Sequence, residues 1–484
     1  MAPVFRRFAG RPLIVFIWLA LLALLFARDF FIRDIDPREQ QILARGRQET
    51  YMGVYFNKER IGYLRTRLIP ETDTIQVEQE GILRLQILGK EHPLRLSGTA
   101  RLSPSFTLQD FDFSLSSPFY SMQSTGRVQG NTIYFSMDSG KGLINDSIKL
   151  ARPPFFMTNQ RSHLLQPGLE KGDKVRQAGF DPLTLATQEM VITYQGRDKV
   201  LIKGRVHNLH HFQELVSGIR INFWLDESGK VIKEESPAGF VFLAEPKFQA
   251  LDISGAEDDL LASVAVDYQG RLPDLARTSR IRYRLALPTG ADFDLAGGRQ
   301  EFDGSVVTLH NEGLTGRGGC TDPQQYLAAT STIQSTAAPI RKLADEIIGS
   351  RSETVAKVKA LAAWVYNNLE KRPVIGLPDA LTALQSGRGD CNEHAVLFAA
   401  LARAVNIPCR IAAGVMLHEG RFFYHAWNEV CTTQGWLSVD SSRNQLPADL
   451  SHIRFVVGEG SEQVRMGSLL GNLGIIVLSS EEER

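Results

Sequence analysis

The sequence predicts an α+β protein: an antiparallel β-rich region, a helix-and-sheet domain in the last third, and an N-terminal transmembrane helix. Three observations predict it. Period-two alternation of apolar and polar residues recurs between Tyr51 and about Ala250. From about Ile340 the apolar spacing changes to that of helices, with Leu343, Ile347 and Ile348 in one stripe and Val355, Val358, Leu361, Ala362 and Val365 in another. At the N-terminus an unbroken apolar run, Leu13 to Ala27, follows Arg6, Arg7 and Arg11.

The bulk numbers bound this reading. Of 484 residues, 43% are hydrophobic and 22% charged, the balance of a folded chain of several domains. Lys plus Arg (54) equals Asp plus Glu (54), so no basic excess points to a nucleic-acid partner. Four cysteines, Cys320, Cys391, Cys409 and Cys431, are too few for a disulfide-built scaffold. No ATP, flavin, haem or metal motif is visible, so no cofactor is expected, and His207, His210 and His211 read as surface or interface residues.

In chain order, residues 1–11 form a short cytoplasmic N-terminus and 12–32 the membrane anchor. About 15 helical residues span only about 23 Å, and Phe30, Phe31 and Ile32 supply the remaining length if Arg28 and Asp29 snorkel to the interface. A cleaved signal peptide is the alternative, with Leu25 a poor fit near the cut at Ala27. Either way the bulk of the chain is exported, periplasmic or extracellular, and the arginines set the N-terminus inside. A polar stalk, 33–50, leads to the β-rich domain, 51–250. Its strand candidates include Gly81–Leu88, Ser105–Phe113, Thr132–Met137 and Ile219–Leu225, and a hairpin turns on Ser228-Gly229. A second β-rich module, 251–312, carries Val264–Val266, Ile281–Leu287 and Ser305–Leu309. A Gly-, Thr-, Ser- and Ala-rich linker, 313–338, precedes the last domain, 339–470, and a C-terminal tail, 471–484.

The chemistry concentrates in that last domain. Asp390 is a good helix N-cap, and Glu393 lies at capping-box spacing, which puts Cys391 at the first helical position. The helix that follows is apolar nearly all round and should be buried, ending before Pro408. The helix dipole alone contributes about 0.3–1 kcal/mol, less than one pKa unit, so a thiolate needs a partner cation. Three strands follow, Cys409–Met416, Phe422–Cys431 and Trp436–Asp440; His425, Trp427 and Glu429 share one face of the second, and Asp440 ends the third.

The blocks Asp379-Ala380-Leu381, Gly389-Asp-Cys-Asn-Glu-His-Ala395, Ala400-Leu-Ala-Arg403, Gly414, Tyr424-His-Ala-Trp-Asn-Glu429 and Gly435-Trp-Leu-Ser-Val-Asp440 resemble the transglutaminase-like core domain over about a quarter of the chain. The resemblance implies a papain-like fold in which a buried helix carries the nucleophile Cys391, and an antiparallel sheet carries the acid/base His425 and the orienting Asp440. It implies attack on glutamine or peptide amides through a thioester, the acyl group passing to an amine or to water. Asn392 stands where animal cross-linking members carry tryptophan, which favours hydrolysis, and Ser441-Ser442 replaces a common Pro-Thr. The Cys391 N–H is one oxyanion donor; Gln385 is a candidate second, with an ordinary loop glutamine as the alternative. Trp427 is core and shields the His425–Asp440 pair, and His394, three residues after Cys391, reads as structural, with contact to Cys391 across one helical turn as the alternative.

Cys409 and Cys431 flank the hairpin symmetrically about Gly420, so they pair as a disulfide or remain two free thiols. The favoured function is a membrane-anchored thiol enzyme acting on protein or peptide substrates outside the cytoplasm. The alternative is a binding or assembly protein that keeps the papain-like core as a scaffold, motivated by a β region of about half the chain.

Overall fold

The computed structural model describes residues 47–482, leaving out 88–89, 118–119, 139–142, 151, 157, 159, 182–185, 217–218, 253–263, 289–291 and 373–377. The expected anchor, 12–32, and most of the stalk therefore lie outside the described residues. Among the described residues no helix is long and apolar enough to cross a membrane.

The alternating region folds as one antiparallel sheet of fourteen strands. Eight strands pair in sequence from Gln48–Phe56 to Leu143–Lys149, and six more from Lys174–Asp181 to Phe240–Glu245. The runs join where Gln48–Phe56 pairs with Phe240–Glu245. The sheet rolls: Phe180, on the far edge strand, meets Phe111 of Leu108–Ser117 at 5.2 Å. The chain between the runs fills the interior, where Phe156 packs near Phe113 and the Arg161 guanidinium lies 4.2 Å over the Phe223 ring and pairs with Glu234 at 3.0 Å. The hairpin expected around Ser228-Gly229 forms, its turn closed by Gly229 N–H on Asp226 O and three donors on Asp226 Oδ1.

Two expectations on domain limits are corrected. Residues 471–484 are not simply a tail: Gly474–Glu482 is an inner strand of a five-stranded sheet, flanked by Tyr268–Gln269 and Thr278–Ala286, with Val306–His310 and Gln300–Asp303 beyond. Its apolar alternation, Ile475 and Val477 buried, is too short to stand out locally. Nor is 251–312 a free-standing module, because Ile281, Tyr283, Val307 and Leu309 share one core with Val415, Phe422, Ile453 and Phe455 of the last domain.

The last domain is a sheet with helices on one face and that second sheet on the other. Strand order is Arg317–Gly318, Gly435–Val439, Arg421–Cys431, Cys409–His418, Ile453–Val457. Helices Ala338–Ile348, Thr354–Asn368 and Ala380–Ser386 surround a central helix, Cys391–Ala404, whose residues from Glu393 to Arg403 are all buried. The stripe Val358, Leu361, Ala362, Val365 is the buried face of its helix, as its spacing requires. Gly414 is required by close approach: a Cβ there would lie 2.0 Å from Ile453 O and 2.9 Å from the Trp427 ring.

The cysteine expectation is corrected as well. The hairpin turns on two residues, Glu419-Gly420, so Cys409 opposes Val430, and Cys431 falls one residue out of register on the other face. Cys431 instead bonds Cys320, fastening the linker to the sheet, while Cys409 stays a buried free thiol.

Candidate active site

The N-terminus of the central helix is capped as its sequence demands. The Asp390 carboxylate accepts from Asn392 N–H at 2.8 Å, and Glu393 Oε2 accepts from Asp390 N–H at 2.8 Å, completing the capping box. Cys391 is the first helical residue. His394 is fixed locally: Asp390 O can only accept, so His394 Nδ1 donates to it, at 2.6 Å, and burial lowers the pKa of the ring. It ties the first turn of the helix to the backbone of its N-cap.

The backbone N–H of Ala426, beside His425 on strand Arg421–Cys431, faces the Cys391 thiol. Burial pushes the Cys391 thiol well above its ordinary range; the charges of Asp390, Glu393 and Asp440 add to this, and the Ala426 N–H opposes it. An isolated thiolate is therefore disfavoured, and the proton can leave only with a base to receive it.

His425 stands next to Ala426 on the same strand. Its Nε2 lies 2.8 Å from Asp440 Oδ2, which leaves Nδ1 as the ring's other nitrogen. A proton on Nε2 facing a carboxylate fixes the tautomer with its lone pair on Nδ1. Asp440 follows strand Gly435–Val439 and is fully buried. Burial alone would raise its pKa, but the His425 and His452 imidazoles outweigh it and hold the carboxyl well below the usual range. The Ser441-Ser442 pair keeps the carboxylate in place: Ser442 N–H and Oγ–H donate to Asp440 Oδ1 at 2.9 and 2.7 Å, and Ser441 Oγ–H donates to His394 O at 3.3 Å.

Trp427 is buried, its ring near-parallel to His425 at 6.3 Å and edge-on to His452 at 5.2 Å. Its Nε1 is buried without a hydrogen-bond partner, and its ring face lies beside the His425 imidazole. Glu429, on the same strand, makes a structural ion cluster with Arg410 (2.6 Å) and Arg454 (2.8 Å). Gln385 sits exposed on helix Ala380–Ser386 and makes none of these bonds.

Sequence reasoning missed His452. Its Nε2 lies 3.1 Å from Asp440 Oδ2 and its Nδ1 3.1 Å from Asp449 Oδ1, with no exposure to solvent. Its only local signal is a position three residues after Asp449; the link to Asp440 crosses a loop. His425, Asp440 and His452 present ligand atoms within 4.8 Å of one another, but both imidazoles already spend Nε2 on the Asp440 carboxylate, and a metal would have to break both bonds. Beside Cys391, Asn392 lines a cavity of about 280 Å³ with Thr332, Pro378, Val396, Glu459 and Gln463.

Residues 341–441 match the model of the transglutaminase-like superfamily. A Haemophilus influenzae protein described only as uncharacterised is 33% identical over 101 residues, 20% of this chain and 27% of that protein, so this chain spans about a quarter of that relative's length. Among solved structures, a candidate cysteine protease from Cytophaga hutchinsonii aligns with 42% of this chain and 87% of its own, at 19% identity and a TM-score of 0.27. A β-barrel-like protein from Brucella abortus, of a domain of unknown function, aligns with 41% of this chain and 94% of its own, at 10% identity and a TM-score of 0.32.

Proposed function

We propose that the chain, carrying a transglutaminase-like domain at residues 341–441, is a membrane-anchored thiol enzyme that attacks amide or peptide bonds of proteins or peptides outside the cytoplasm. The observation that carries this is the His425–Asp440 pair, 2.8 Å apart, with the N–H of the next residue, Ala426, facing the Cys391 thiol. In the acylation step the Cys391 proton passes to His425 Nδ1, Sγ bonds the amide carbon, and the carbonyl π electrons move to oxygen. Collapse breaks the C–N bond, and His425 returns the proton to the leaving amine. Water, deprotonated by His425, then cleaves the thioester and frees Cys391. The Cys391 backbone N–H, unpaired at the helix start, is one donor for the oxyanion.

Hydrolysis is favoured over cross-linking because Asn392, not a large aromatic residue, follows the nucleophile and opens onto the adjacent cavity. Export is supported by the basic flank and apolar run at 6–27 and by the Cys320–Cys431 disulfide, a bond that persists in oxidising compartments.

The test incubates full-length wild type and Cys391→Ala with a glutamine-rich protein mixture and a small primary amine, and reads the products by mass spectrometry. The expected result is deamidation or cleavage by wild type alone, falling on the order of 10⁴-fold in the variant. Amine adducts without hydrolysis would replace the hydrolytic reading with acyl transfer; identical products from both proteins would overturn the enzyme.

A further inference from the structure

His452 has two nitrogens and only acceptors to face. Nδ1 sits 3.1 Å from Asp449 Oδ1 and 3.2 Å from Asp449 O; Nε2 sits 3.1 Å from Asp440 Oδ2. A neutral imidazole has one N–H and leaves one of these contacts as lone pair against lone pair; an imidazolium satisfies all of them. Both flanking carboxylates are built to stay ionised. Asp440 takes four donors: Ser442 N–H and Oγ–H on Oδ1, and His425 and His452 on Oδ2. Asp449 takes Ser451 N–H and Oγ–H on Oδ1 beside His452, and Gln445 Nε2–H on Oδ2.

We infer that His452 is a positioning residue, a permanent buried imidazolium clamped between Asp449 and Asp440, that orients the Asp440 carboxylate and sets the pH at which the Cys391–His425 pair ionises. This rests on the reading of Cys391 and His425 given above. The other groups around the clamp do not replace its charge. Arg299 donates to the carbonyls of Asp449 (2.9 Å) and His452 (3.4 Å) but is paired with buried Glu312. Tyr283 donates to Leu450 O, and the Trp427 ring is neutral. On the far side of Asp440 stands His425, its ring centre 5.6 Å from that of His452.

A fixed positive charge there draws on Asp440 and acts on the pair in one direction. It disfavours protonating His425 and favours removing a proton from Cys391, so both ionisations of the coupled pair occur at lower pH than they would without it. The direction is the same whether the resting pair is thiol–imidazole or thiolate–imidazolium.

Alkylation of Cys391 by iodoacetamide reports both ionisations without any substrate. Cys409 is buried, Cys320 and Cys431 are bonded to each other, and peptide mass spectrometry isolates the Cys391 signal. In the full-length wild-type protein the rate against pH should show two inflections. In His452→Gln both should move to higher pH, by about one unit for a charge removed at this distance. Asp449→Asn leaves the imidazole in place but removes an anion that holds its second proton; loss of that proton should move both inflections the same way, by less because a more distant negative charge is lost with it, and the double variant should move no further than His452→Gln. It also serves if His452→Gln does not fold. Slower alkylation at every pH with inflections unmoved would overturn the inference and leave Cys391 and His425 standing. A single wild-type inflection in the ordinary thiol range would overturn both.

Discussion

The Asp440 carboxylate illustrates how much a single buried group can require of its neighbours. All four of its lone-pair directions are occupied, two by His425 and His452 and two by Ser442. Asp440→Asn keeps the shape but puts an N–H or a weaker acceptor against His425 Nε2, releasing the tautomer that leaves Nδ1 as base. Turnover should fall on the order of 10⁴-fold, and Cys391 alkylation at neutral pH should slow with it. Ser442→Ala removes one donor and keeps the backbone one, leaving a buried acceptor short of a partner. The expected cost is about 1–3 kcal/mol in a denaturant titration, with the alkylation inflections little changed because no charge is lost. At this scale the sequence was informative where chemistry and spacing coincide: Cys391 after an N-cap, His425 in alternation with Trp427, Asp440 at a strand end. The role of Ser442 was hidden, because a serine following an aspartate has no signature until the turn at Asp440 brings its hydroxyl back onto the carboxylate.

Two elements position the site, and each has one residue on which its geometry turns. For the central helix it is Asp390, which caps the helix and raises the pKa of the thiol beside it. The two roles separate by substitution. Asp390→Asn keeps a side-chain acceptor of equal capping strength and removes the charge, so Cys391 should alkylate faster at a given pH with stability nearly unchanged. Asp390→Ala loses the cap too and should cost about 1 kcal/mol. For the hairpin Cys409–His418 and Arg421–Cys431 it is Gly414, pressed against Ile453 O and the Trp427 ring. Gly414→Ala must push back either a paired strand or the indole over His425, at about 1–3 kcal/mol; a changed near-ultraviolet signal would mark the second route. The helix, its cap and the hairpin strands were legible because their signals are local. The disulfide was not, because symmetry of cysteines about Gly420 is not register: a two-residue turn centred between Glu419 and Gly420 shifts the pairing by one and turns Cys431 away from Cys409.

Over the whole molecule the links that matter join segments far apart in the chain, which is why the sequence alone placed a linker and a tail where the fold has a tethered segment and an inner strand. Glu429 is one such link, holding Arg410 and Arg454 in the sheet core. Burial alone would raise its pKa, but the two guanidiniums lower it to about 2. A carboxyl depressed below its unfolded value contributes stability that is present above about pH 4.3 and is lost as pH falls towards 2. Glu429→Gln, though less stable at neutral pH for leaving two buried cations short of a partner, should therefore show a shallower loss of stability over that interval, read from denaturant midpoints at several pH values. The Cys320–Cys431 bond is the other link, and it closes a loop of 111 residues around the helices and most of the site. Loop-closure entropy assigns a loop of that size about 4.7 kcal/mol. The fourteen-stranded sheet, Gln48 to Glu245, lies wholly outside the loop, so reduction should act on the two parts unequally. Calorimetry of the full-length protein with and without reductant should lower the transition of the C-terminal domain and leave that of the large sheet in place. If both transitions move together, the two parts unfold as one cooperative unit.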